Sequence, residues 1–206
     1  MDTVCEIFKA MAHKESDNAF LQEIAEKLLT IKGLSFASIF EFSENHSRIN
    51  KLAGTAGTCS AETCGSIPVY GTPFWEEFQT RLHSKNIFEL LKVNVRASLE
   101  ETELELFYPD GTNRNFVVPI SADNELLGFI LLGVLRAETL TQPEREFVNV
   151  SRNLVSLTLQ KREQETMFVE LTDTLHLLNK ILRHDLMNNL SVLYGVLKLY
   201  TTSKDE

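Results

Sequence analysis

The chain has little cysteine, and Cys5, Cys59 and Cys64 are too few and too unevenly spaced for a disulfide framework. That excludes a small disulfide-stapled secreted protein and fits a reducing compartment. Basic residues are also in deficit, with 20 Lys and Arg against 29 Asp and Glu and a net charge of −9. A surface that negative repels phosphate backbones, which argues against direct nucleic-acid binding. No apolar run is long enough to cross a bilayer. The longest, residues 126–135, is interrupted by Gly128 and Gly133. The first residues carry Asp2 and Glu6 where a signal peptide would have a basic region. The expected location is therefore cytoplasmic, with no membrane segment in the chain. A Gly-rich nucleotide-binding motif is missing as well.

The 206 residues, 43% hydrophobic and 24% charged, suit one good-sized domain with an extension. Asp2 is positioned to cap a short helix reaching about His13. Asp17 can cap a second, with Phe20, Leu21, Ile24, Leu28 and Ile31 at helical spacing until Gly33. Aromatic and β-branched residues at 36–42 and again at 48–53, around a polar turn, predict a β-hairpin. Residues 54–71, with Gly54, Gly57, Gly65 and Gly71 among Ser and Thr, read as loop. Thr72-Pro73 opens a helix through Phe74, Trp75, Phe78 and Leu82. A short helix is expected at 87–91.

Further on, 104–108, the turn Pro109-Asp110-Gly111 and 116–120 carry a hairpin signature. A polar turn at 121–125 leads into 126–135, too continuously apolar to have one wet face. The order is helix, two strands, helical insertion, three strands, helix. It predicts an α+β domain, an antiparallel sheet flanked by helices.

From Pro143 the pattern becomes a heptad. Phe147, Val150, Leu154, Leu157, Phe168, Leu171, Leu175, Leu178 and Leu182 alternate three and four apart, broken only by Lys161 and Gln164. A helix over 143–182 would be about 60 Å long and needs a partner for its apolar stripe. A parallel coiled-coil homodimer supplies one. After Leu182 the spacing slips to Leu186, Leu190, Leu193 and Leu197, a stutter that locally unwinds a left-handed coil. His184 lies beside the slip. With Asn188, Ser191 and Gly195 it is spaced to line one helix face, away from the leucines.

Two stretches carry family resemblances. Asn115-Phe-Val-Val-Pro-Ile-Ser, then Leu126-Leu-Gly-Phe-Ile-Leu-Leu-Gly, then Leu140-Thr-Gln-Pro-Glu-Arg-Glu-Phe147 resembles the C-terminal half of GAF domains. With the earlier hairpin the likeness spans about residues 15–160. Leu178-Asn-Lys-Ile-Leu-Arg-His184-Asp185-Leu-Met-Asn188-Asn189-Leu190 resembles the H-box of sensor histidine kinases. It is similar to the archaeal-type His-Asp-Leu-x-Asn variant, and Asn189 stands where the common bacterial form has proline.

These resemblances imply a division into a GAF-like sensory domain (1–145, core about 15–145), a signalling helix (146–177) and a truncated dimerisation and phosphotransfer helix (178–206). They imply the sensing part of a two-component histidine kinase within a phosphorelay, with a response regulator and a small-molecule ligand as partners. His184 would be the phospho-acceptor, Asp185 would orient it or take its proton, and Asn188 would hold a position linked to phosphatase activity. ATP and Mg²⁺ would come from an ATP-binding domain outside residues 1–206, so the chain alone should be inactive as an enzyme. A non-catalytic GAF-type regulatory dimer that binds a small molecule is the alternative.

In GAF domains the helix carrying Phe74, Trp75 and Phe78 commonly covers the ligand cavity, which makes these three candidate ligand residues, although core packing is the commoner reason for aromatics at helical spacing. Cys59 and Cys64 could form a thiol switch or attach haem. As plain reduced thiols they need no role, and their spacing gives no metal site. The cofactor, if any, is left open. His13, His46, His83 and His176 read as surface residues.

Overall fold

The computed structural model describes residues 17–43, 47–55, 67–69, 73–96, 98–109, 112–135 and 139–202. The helix expected at the N-terminus, Cys5, Cys59, Cys64, His13, His46 and the Thr72 cap lie outside them.

Helix α1 (Asp17–Leu28) buries Phe20, Leu21, Ile24, Ala25 and Leu28 along one face. Gly33, at φ 89°, makes the turn into strand β1 (Leu34–Phe42), a conformation that only glycine adopts at no cost. β1 pairs antiparallel with β2 (Arg48–Gly54), which pairs with the two-residue β3 (Ile67–Pro68). Helix α2 (Pro73–His83) follows.

Two expectations fail in the next segment. Residues 88–91, expected as helix, are strand β4 (Phe88–Leu91), paired antiparallel with β5 (Arg114–Ala122). Residues 104–107 of the segment 104–108, expected as strand, belong to helix α4 (Glu101–Phe107), with Tyr108 at its C-terminal cap, and the short α3 (Lys92–Val95) precedes it. A capping box decides the second case. The Glu100 backbone N–H donates to Glu103 Oε2 at 2.8 Å, and the Glu100 side chain accepts from the third helical N–H. The hairpin partner of β5 is therefore β4 on one side and β6 (Glu125–Val134) on the other.

The β5–β6 turn has two central residues, Asp123 and Asn124, both at positive φ. That backbone twist suits a two-residue hairpin, and Asp and Asn tolerate it. The six strands run in the order β3-β2-β1-β6-β5-β4, all antiparallel. Gly128 sits where β6 crosses β1. A Cβ there would lie 2.0 Å from the Phe40 carbonyl oxygen, so only hydrogen fits.

Both sheet faces are covered, as the apolar character of 126–135 requires. Ala37, Ile39, Val118, Ile120, Ile130 and Leu132 point to one face and meet α1 and the start of α5 (Gln142–Thr202). Phe36, Phe40, Val117, Phe129 and Leu131 point to the other and meet α2, α3 and α4. The alternation follows from the pleat, which sends successive side chains to opposite faces.

Helix α5 crosses from one compact unit, which ends at Gln160, into a second that starts at Lys161. Within the first unit it buries Val148, Ser151, Leu154, Val155, Thr158 and Leu159. Part of the heptad stripe is thereby used at home: Leu154 is core, and Phe147 and Val150 pack against it half-buried. Within the second unit Phe168, Leu171, Leu175, Leu178, Leu182, Leu186, Leu190 and Leu193 are 51–71% exposed in the single chain. No helix of the described residues is long and apolar enough to cross a membrane.

Candidate functional site

Two places hold the candidate residues, one in each unit. In the second, His184 and Asn188 stand one turn apart on α5, with Asp185 next to the histidine. His184 is exposed, its side chain 72% accessible. Asp185 Oδ1 lies 3.4 Å from His184 Nδ1. Asn188 Nδ2 lies 3.2 Å from Nδ1 and 3.5 Å from Nε2.

One ring nitrogen cannot both donate to the carboxylate and accept from the amide. When Nδ1 carries the proton and donates to Asp185, Nε2 keeps its lone pair towards solvent, and Asn188 Nδ2, itself a donor, makes no bond to Nδ1. At about 100° per residue His184 is roughly half a turn around the helix from Leu182. Ser191, whose hydroxyl donates to the Met187 carbonyl, and Gly195 continue the same face. A Cβ at Gly195 would meet nothing within 4 Å. The sequence-predicted trio is thus brought together on an open helix face.

In the first unit Phe74, Trp75 and Phe78 lie in an aromatic layer between α2, α4 and the sheet. Trp75 and Phe78 are buried and Phe74 is half-buried. Phe40 stacks on Phe129 at 4.8 Å, and Phe78 meets Phe129 edge-on at 5.3 Å. Phe107 stands among them, 5.9 Å from Phe78 and 6.1 Å from Trp75. These separations fall in the range aromatic pairs prefer, about 4.5–7 Å. The rings fill the layer. A pocket of about 80 Å³ remains beside Phe74, Phe78, Leu90 and Val95, far below the roughly 300 Å³ where small-molecule sites begin.

Phe107 and Tyr108 were not among the residues singled out from sequence, because 104–108 reads as the first strand of a hairpin before the turn Pro109-Asp110-Gly111. The signal that finds them is Glu100 and Glu103, three apart before an apolar run.

No protein-family model and no curated protein matches the chain. Solved structures do. The GAF domain of a phosphoenolpyruvate-protein phosphotransferase from Coxiella burnetii matches with a TM-score of 0.61 at 12% identity, over 80% of this chain and 94% of that one. A phycocyanobilin-bound GAF domain from a cyanobacterial phytochrome matches at 0.57 and 13%, over 80% and 95%. The GAF domain of a two-component sensor histidine kinase from Bacillus halodurans matches at 0.52 and 12%, over 70% and 93%. At such identities the likeness speaks for the fold. It is the GAF fold.

Proposed function

We propose that this chain is the signal-sensing portion of a two-component sensor histidine kinase, in which the GAF-fold unit is the input and His184 is the phospho-acceptor. The observation that carries the reading is the exposed His184 imidazole with Asp185 and Asn188 both within 3.5 Å of it. Phosphorylating an imidazole requires one nitrogen with a free lone pair and a second held by an acceptor. Asp185 on Nδ1 provides the second and leaves Nε2 as the attacking atom. Phosphoryl transfer is otherwise positioning and charge neutralisation, supplied by Mg²⁺ and ATP on a separate domain.

The exposed leucines of α5 pair two copies of the chain, and the pair presents His184 on its flank. A response regulator then docks beside Ser191 and Gly195, where small residues leave room. In the first unit Phe74, Trp75 and Phe78 are the side chains a ligand between α2 and the sheet would meet, with Phe74 the one able to move aside.

The test is phosphate labelling from ATP in a chain extended to an ATP-binding domain. Label should be acid-labile, lost in His184→Gln and retained in His176→Gln. Label that survives His184→Gln overturns the assignment. Absence of any label in a chain that still pairs would favour the non-catalytic regulatory dimer.

A further inference from the structure

Away from the aromatic layer, α3 and α4 flank an open groove of about 490 Å³, within the roughly 300–1,000 Å³ of small-molecule sites. Its lining carries both signs of charge. Lys92 and Arg96 belong to α3 and its end, Glu101 and Glu105 to α4. Among the described residues none of the four forms an ion pair with a protein partner. Val93 and Leu104 give the groove its apolar surface, and the Lys92 ammonium sits 5.6 Å from the centre of the Tyr108 ring.

A second observation comes from the polar atoms at this end of the fold. Tyr108 is 2% exposed and its hydroxyl has no partner. Burial pushes the phenol up from its ordinary value, so it stays protonated and can donate. Thr112 Oγ1 and Asn115 Oδ1, on the segment that follows, are also buried without partners, while the Asn115 amide donates to the Phe107 carbonyl. Buried polar atoms in folded proteins are nearly always satisfied, and of these three residues Tyr108 is the one that lines the groove.

We propose that the groove binds a small zwitterion of the free amino-acid class. Its carboxylate faces Lys92 and Arg96, and its ammonium faces Glu101 and Glu105. A ligand of one sign would meet two like charges across the groove, and that repulsion is what selects for both signs together. The site deepens the sensory half of the function proposed above by naming a ligand class. It does not depend on phosphotransfer.

Isothermal titration calorimetry of the full chain tests this, using the standard amino acids one at a time, with acetate and choline as single-charge controls. The expected result is one-to-one binding of at least one amino acid and of neither control. Affinity should fall about tenfold or more in Arg96→Ala and in Glu105→Gln, each of which removes a charge-assisted contact. Both are exposed positions, so the variants should remain folded. Binding should persist in His184→Gln, which keeps a failure of the phosphotransfer assignment separate. No binding by any amino acid, equal binding of acetate or choline, or undiminished binding in both charge variants overturns the proposal.

Discussion

Single residues in this protein are set by what their neighbours leave room for. Gly128 exists because a backbone carbonyl occupies the space of its missing Cβ. Tyr108 is the opposite case, a polar atom kept where no protein group meets it. Removing an unpartnered buried hydroxyl is nearly neutral or stabilising, so Tyr108→Phe should unfold at an equal or higher urea concentration, by up to about 1 kcal/mol at neutral pH. The sign of the pH dependence follows from the raised phenol. Folding favours the protonated form, so this contribution is fully present below the unfolded value of about 10 and is lost as pH climbs above it. Urea melts across the alkaline range should show the wild type losing that part of its stability and Tyr108→Phe keeping it. A variant less stable at neutral pH, or equally sensitive to alkali through this range, would contradict the assignment.

At the scale of elements, periodicity revealed what was long and failed where segments were short. Helix α1, the β1–β2 hairpin, helix α2, strands β5 and β6 and the start of α5 all follow from patterns extending over five residues or more. β4 and α4 do not. Phe88–Leu91 is a four-residue segment, three apolar residues and Glu89, that fits a helix turn as well as a strand, and only pairing with Arg114–Val117 settles it. Residues 104–108 precede a turn-forming Pro-Asp-Gly as a hairpin strand would, yet the Glu100–Glu103 capping box starts a helix one turn earlier. The candidate site divides similarly. The His184 trio was legible because helical spacing alone juxtaposes its members. The aromatic layer was half legible, since Phe74, Trp75 and Phe78 share a helix, but Phe107 joins them only through the helix that sequence misread. The cap itself is testable. Glu103→Ala should lower stability by about 0.5–2 kcal/mol, the usual worth of an N-terminal cap, and reduce far-ultraviolet helical signal. An unchanged urea midpoint would mean that packing of Phe107 alone holds α4.

The whole molecule places a filled, two-faced sheet in one unit and an apolar, unpartnered helix in the other. The exposed residues of the second unit extend beyond one heptad seam. Leu177, Ile181, Met187 and Val192 are exposed alongside the leucines. A strict two-stranded seam uses two positions in seven, whereas a helix bundle uses a broader face. That breadth agrees with pairing near His184 in the manner of a bundle and not of a simple zipper. Exposed apolar area on this scale marks an interaction surface in a folded protein.

The proposed pairing of two chains through α5 is the claim on which the rest turns, because His184 needs a rigid flank from which to receive and pass on phosphate. Sedimentation equilibrium of the purified chain tests it most directly. The account predicts a dimer for the wild type and a folded monomer for the double variant Leu175→Glu, Leu178→Glu. A monomeric wild type at micromolar concentration would contradict it.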